Sequence, residues 1–133
     1  MLPTPAQITA RRSAFRQLHA SGCFAIPNPW DAGSARYLAQ LGFKALASTS
    51  SGRAWSQGAP DGGLPLPAVL DYLRELVAAT ELPVNADFEG GFADTPDGVA
   101  RNVRAAIDTG IAGVSIEDAS GDATAPLLAL PTA

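Results

Sequence analysis

Cysteine and histidine are almost missing from this chain, with Cys23 and His19 the single example of each. A lone cysteine excludes an internal disulfide and suits a reducing cytoplasm. One cysteine and one histidine also fall short of a zinc site of the usual nitrogen and sulfur kind. Any metal would have to be held by oxygen. Positive charge is scarce as well: nine Lys and Arg stand against thirteen Asp and Glu, for a formal net charge of −4. Phosphate backbones need a basic field, so a nucleic-acid surface is not expected. No apolar run reaches the roughly 18 residues that suggest a membrane span. The stretch from Met1 to Arg16 carries Arg11, Arg12 and Arg16 but no apolar core like that of a signal peptide. A P-loop, a Gly-x-Gly-x-x-Gly turn and a Gly-x-Ser-x-Gly elbow are all lacking.

What is present is a chain of 133 residues, 47% hydrophobic and 17% charged, which fits one soluble globular domain. A helix is expected from about Ala6 to Ala20, stopped by Gly22. Cys23-Phe24-Ala25-Ile26 reads as strand one, broken by Pro27-Asn28-Pro29. Asp31 caps a helix that runs to about Leu41 and stops at Gly42. Phe43 to Ser48 is strand two. A long loop, rich in small residues, follows from Thr49 to about Pro65. Leu66 to Thr80 returns to helical spacing, with Leu66, Leu70, Leu73, Leu76 and Val77 on one stripe. Strand three is Val84 to Asp87. Thr95 and Pro96 open a helix whose apolar face is Val99, Val103, Ala106 and Ile107, ended by Gly110. Val114 to Glu117 is strand four, and the tail from Ala119 to Ala133 has no periodicity.

Strands alternating with helices make a parallel sheet with right-handed crossovers. Two α/β folds fit: an open doubly wound sheet, or part of a (β/α)8 barrel. A complete barrel needs roughly 250 residues, so this chain would hold about half of one. The expected division is an N-terminal helix over 1–22, four β/α units over 23–118, and a tail over 119–133.

Strands three and four both end in acid. Side chains alternate along a strand, so Val84 and Ala86 share one face while Asn85 and Asp87 share the other. Val114 and Ile116, then Ser115 and Glu117, repeat the layout. Strand ends of a parallel sheet emerge on one side, where α/β enzymes keep their chemistry. Clustered carboxylates repel unless a cation or a proton intervenes. A hard divalent ion such as Mg²⁺ suits such a set. The plainer reading is that these acids cap loops or stand in solvent. Glu89 shares the parity of Asp87 and either joins the site or is a solvated turn residue. Asp118 has the opposite parity and reads as structural, and Asp61 sits in a context that a turn explains. Ser50-Ser51-Gly52-Arg53 would let backbone N–H groups approach an anion, or is a plain loop. Trp30 and Trp55, both after strands, either wall a ligand pocket or cover the core. Cys23 reads as a small buried residue and His19 as a surface one.

Five segments resemble the isocitrate lyase / phosphoenolpyruvate mutase superfamily. They are Pro27 to Arg36, Gly42-Phe43-Lys44-Ala45, Thr49-Ser50-Ser51-Gly52, Val84-Asn85-Ala86-Asp87 and Val114-Ser115-Ile116-Glu117-Asp118. The branch is the one with Asn-Ala-Asp-Phe-Glu in place of Asp-Ala-Asp-Thr-Gly. The resemblance implies the first half of a (β/α)8 TIM barrel that binds Mg²⁺, or Mn²⁺ in its place, at the C-terminal strand ends. It implies a lyase or mutase that makes or breaks a C–C or P–C bond next to a 2-oxo carboxylate through an enolate. Its substrate would be a small 2-oxo acid or phosphono acid. Asp87 matches the metal ligand. Asn85 takes the place of an acid that helps through water, Glu117 matches an acid of the metal's outer shell, and Asp61 matches a further acid near it. Asp61, Asp87 and Glu117 are thus the catalytic candidates, and Asp87, Asn85 and Glu117 the metal candidates. Ser51, Gly52 and Arg53 match the segment whose backbone amides hold the substrate's anionic end; Ser50 and Trp30 complete the substrate-binding set.

This sequence departs from the pattern at Asn85, which removes one negative charge. It also lacks the Lys-Arg-Cys-Gly type of loop, so isocitrate itself is not the expected substrate. A half-barrel has open sheet edges that invite pairing. The chain is therefore expected to be a fragment of a longer enzyme or a self-associating homo-oligomer. The competing class is a non-catalytic half-barrel remnant acting as an assembly or binding module; a metal-dependent aldolase of another barrel family is a further enzyme alternative.

Overall fold

The computed structural model describes residues 2–129. Helix α1 (Pro5–Leu18) opens on a reciprocal cap. The Thr4 hydroxyl accepts from Gln7 N at 3.3 Å, and the Gln7 side chain accepts from Thr4 N at 2.8 Å. The cap satisfies two otherwise orphaned donors. Helix α2 (Ala32–Gln40) is capped by Asp31, which accepts from Ser34 N at 2.7 Å. Then come β1 (Leu46–Ala47), α3 (Ser50–Ser56), α4 (Leu66–Ala79), β2 (Val84–Asp87), α5 (Pro96–Ile107) and β3 (Gly113–Ser115). The strands form one parallel sheet in the order β1-β2-β3.

Three expectations are corrected. Cys23 to Ile26 forms no strand; the chain reaches the sheet through one bond just past it, from Ala47 N to Pro27 O at 3.0 Å. Pro27 and Pro29 have no N–H to donate to a ladder. Cys23 is exposed rather than buried. The stretch after strand two is not all loop, because Thr49 accepts from Gly52 N at 3.1 Å and starts α3. Small residues obscured that helix, since seven residues are too few to show an apolar stripe.

Helix α4 buries Val69, Tyr72, Leu73, Leu76 and Val77, while Leu66 and Leu70 are only partly covered. Its core face is therefore turned toward Tyr72, a residue outside the expected stripe. Val84 and Ala86 of β2 join Leu73, Leu76 and Val77 in the same buried cluster. Each large side chain there contributes about 1.5–3 kcal/mol by leaving water. Asn85 and Asp87, on the opposite face, are only half-buried.

Helix α1 closes the end of the sheet where the strands begin. Arg12 donates from Nε to Ile111 O at 3.0 Å and from Nη2 to Ile107 O at 2.9 Å. Arg11 Nη1 donates to Val77 O at 2.9 Å. Gly113, the first residue of β3, has no room for a side chain: a Cβ there would lie 2.5 Å from Phe15 Cε1 and 2.6 Å from Asn85 Oδ1. The strand C-termini are left open. The β3 edge is open too, with Val114 and Ile116 37% and 48% exposed. Beyond it, residues 119 to 128 fold back through an antiparallel bridge of Ala119 with Leu127.

Candidate active site

Asp87 ends β2 and is held from two sides. Its N–H donates to Ser48 Oγ at 2.8 Å, and Ser48 N in turn donates to Asn85 O at 2.9 Å. Its Oδ2 accepts from Ser50 N at 2.7 Å and from Ser50 Oγ at 2.8 Å. Two donors on one oxygen fix the carboxylate plane, and Oδ1 makes no hydrogen bond within the described residues. Ser48 was not among the sequence candidates. The only signal for it was its place at the end of an apolar run.

The parallel ladder runs past the ends of the strands. Phe88 N donates to Ser115 O at 3.0 Å, and Glu117 N donates to Glu89 O at 2.9 Å. Asp87 and Glu117 therefore leave the same end of the sheet, as parallel strands require. Glu89 has a left-handed backbone, with φ of 47°. Burial, then the charges of Asp87, Asp61 and Glu117, raise its carboxyl above the usual range. All three of those charges are acidic, so Glu89 sits in a negative field. The Asp61 turn reaches it from the loop before α4: a Cβ on Gly62 would lie 3.9 Å from Glu89 Oε2.

Asn85 lies one step below. It is paired in register with Gly113, and its amide donates to Ser115 Oγ at 2.9 Å and Ala86 O at 3.3 Å. Among the described residues, no three His, Cys, Asp or Glu side chains stand as a ready-made metal ligand set. Mg²⁺ does not demand one; it keeps several waters and takes one or two carboxylates directly. Asp87, with Oδ2 held by Ser50 and Oδ1 without a hydrogen bond among the described residues, is the carboxylate whose chemistry suits a hard divalent ion held mostly through water.

The substrate-binding candidates divide. Ser50 is engaged with Asp87. Ser51, Gly52 and Trp30, with Asn28 and Trp55, line an open groove of about 440 Å³. Gly52 N is taken by the Thr49 hydroxyl and Arg53 N by Thr49 O at 3.0 Å, whereas Ser51 N has no partner within the described residues. The Arg53 guanidinium turns toward α4. It lies 3.3 Å from Glu75 Oε2 and 3.4 Å from Trp30 O, and 4.9 Å above the Tyr72 ring. Tyr72, also unmarked in the sequence reading, ties this corner together. Its hydroxyl donates to Pro29 O at 2.5 Å and accepts from Thr49 N at 3.2 Å. Burial pushes its phenol up to about 12. Trp30 and Trp55 are 48% and 67% exposed, so neither covers the core. A second cleft, of about 920 Å³, runs from Glu89 and Glu117 between α5 and the tail, over Val99, Val103, Ile116 and Leu128.

Residues 15–133 match the family described as phosphoenolpyruvate phosphomutase. The chain is 36% identical over 106 residues to 2-methylisocitrate lyase of Halalkalibacterium halodurans, covering 78% of this chain and 35% of that protein. A crystal structure from Burkholderia cenocepacia J2315, provisionally named a lyase/mutase, superposes with a TM-score of 0.91 at 50% identity, over 95% of this chain and 46% of that one. Phosphonopyruvate hydrolase, solved with oxalate and Mg²⁺, shares the fold at 21% identity, with a TM-score of 0.81 over 95% of this chain and 44% of that one. The chain thus spans less than half the length of each.

Proposed function

The chain belongs to the phosphoenolpyruvate phosphomutase family, and from that premise we propose that it carries the cation-binding half of a lyase or mutase acting on a small 2-oxo or phosphono acid. In this reading the sheet is the first half of a (β/α)8 barrel. The observation that carries it is the state of Asp87: Oδ2 is held by Ser50, Oδ1 makes no hydrogen bond among the described residues, and Glu89 and Glu117 leave the same end of the sheet. Carboxylates gathered at strand ends call for a cation or a proton, and the unbonded Asp87 oxygen favours the cation.

Asp87 would be the direct ligand of Mg²⁺ or Mn²⁺, with Asp61, Glu117 and the Asn85 level orienting its waters. The bound ion would supply Lewis-acid stabilisation of negative charge on the substrate oxygen beside the carboxylate. The protein's share is positional. Ser50 locks the Asp87 carboxylate. The free Ser51 N–H, with Gly52, Arg53 and the face of Trp30 nearby, marks where the anionic end of the substrate would rest. Asp61 and Glu117 would orient water or carry a proton.

The test is Mg²⁺-dependent enolisation, or pyruvate release, over a panel of 2-oxo and phosphono acids, with Asp87→Ala as control. Turnover that vanishes with the metal and with Asp87 is the expected result. Turnover indifferent to Asp87 would remove the site.

A further inference from the structure

We propose that the groove between Trp30 and Trp55 is a subsite for a flat, uncharged group of the substrate, so that the acid this chain accepts carries an aryl or comparably planar substituent. The inference rests on the function proposed above and names the substrate class. The chain has two tryptophans, and both line this groove of about 440 Å³. Trp30 stands in the loop before α2 and Trp55 on α3. Folding brings them to one place from separate elements, yet leaves them 48% and 67% exposed. Two large aromatics left in water side by side offer apolar area that a bound ring can cover. The volume lies in the range of small-molecule sites, about 300–1,000 Å³. The other lining residues are Asn, Thr, Ser and Gly, so no lining side chain carries a charge.

Both walls are held before any ligand arrives. Around Trp30 the backbone is tied at each residue. Pro29 O accepts from the Tyr72 hydroxyl, and Trp30 O from Arg53 Nη1 at 3.4 Å. Trp30 N and Asp31 N each donate to Ser34 Oγ at 3.1 Å, and Ala32 N donates to Glu75 Oε1 at 3.2 Å. Trp55 rides on α3, which Ser50 fastens to Asp87. A preformed wall spares the ordering cost of binding. Charge is drawn away from the groove at the same time. Arg53 follows Gly52 in the chain, but its guanidinium is engaged by Glu75 and by the Tyr72 ring. A phosphono group or a second carboxylate would find no cation among the lining side chains, and a cationic group would find no carboxylate. A planar apolar group fits what remains, since aromatic pairs gain beyond the area they bury. Ser51 belongs to the same lining and adjoins the Ser50 that grips Asp87. One ligand can therefore reach from the resting place of the acid to the two indoles.

The experiment titrates the purified chain with phenyllactate and with lactate, read by calorimetry and by tryptophan fluorescence, which reports from the groove alone because both indoles line it. Phenyllactate should bind about tenfold tighter or more and change the emission, while lactate should leave the emission as it was. Trp55→Leu should weaken phenyllactate binding by about tenfold, the scale of losing one aromatic partner. Trp55→Phe, which keeps a ring, should retain most of the affinity. Equal affinity for the two acids, or Trp55→Leu binding phenyllactate like the parent, would overturn the subsite. So would a Trp55→Leu chain that loses self-association in light scattering and keeps its phenyllactate affinity, because the indoles would then be an interface between copies. The proposed function is tested apart. Tryptophan-dependent binding of phenyllactate with no Asp87-dependent turnover of any acid keeps the subsite and removes the lyase or mutase reading. Asp87-dependent turnover that is equal for phenylpyruvate and pyruvate does the reverse.

Discussion

Ser50 grips Asp87 twice, with its backbone N–H and its hydroxyl both on Oδ2 at 2.7 and 2.8 Å. The contact joins the start of α3 to the end of β2 and leaves the other oxygen of Asp87 without a hydrogen bond among the described residues. Ser50→Ala removes the hydroxyl bond but keeps the backbone one. The expected outcome is a loss of Mn²⁺ affinity within the roughly 10–100-fold range of orienting partners, with little change in melting temperature. Affinity equal to the parent would show that the backbone bond alone sets the carboxylate.

Gly113 is where α1 and the sheet come closest. A methyl group there would sit 2.5 Å from Phe15 and 2.6 Å from Asn85. Gly113→Ala should destabilise the fold by about 1–3 kcal/mol, as overpacking does, measured by denaturant melts. The same substitution should loosen the Asn85 amide from Ser115.

Arg12 fastens α1 to the carbonyls of Ile107 and Ile111. Hydrogen bonds from charged donors are worth about 1.5–3 kcal/mol where they are shielded; one of these two is exposed, so the lower end applies. Arg12→Ala should cost that amount and raise amide exchange across Pro5–Leu18 more than elsewhere.

Tyr72 gives a pH signature. Its phenol holds its proton to about 12 in the folded chain, against an ordinary value of 10.0. Between those values the folded state binds more protons than the unfolded one, so stability falls as pH rises through that window. Tyr72→Phe should flatten that part of the stability profile. It should also lower stability at neutral pH by about 1–3 kcal/mol, because Pro29 O and Thr49 N lose their partner.

The β3 edge, with Val114 and Ile116 exposed, invites strand pairing. Light scattering on a size-exclusion column should show self-association of this chain, reduced by Ile116→Lys. A stable monomer would count against the open-edge reading.

Much of this was set by the order of residues. The two-residue alternation of Val84-Asn85-Ala86-Asp87 already separated a core face from a polar one, and Asp31 and Thr95 cap the helices their positions announced. Those are local effects, decided within a few positions of the chain. The family could also be read from the sequence, because its segments lie in order at fixed spacing. Only the folded chain decided that Ser48 and Ser50 hold Asp87, and that Tyr72 anchors the loops before α2 and α3. Each depends on contacts between segments up to 43 residues apart. Such partners are selected by tertiary packing, which leaves no periodic trace in the sequence.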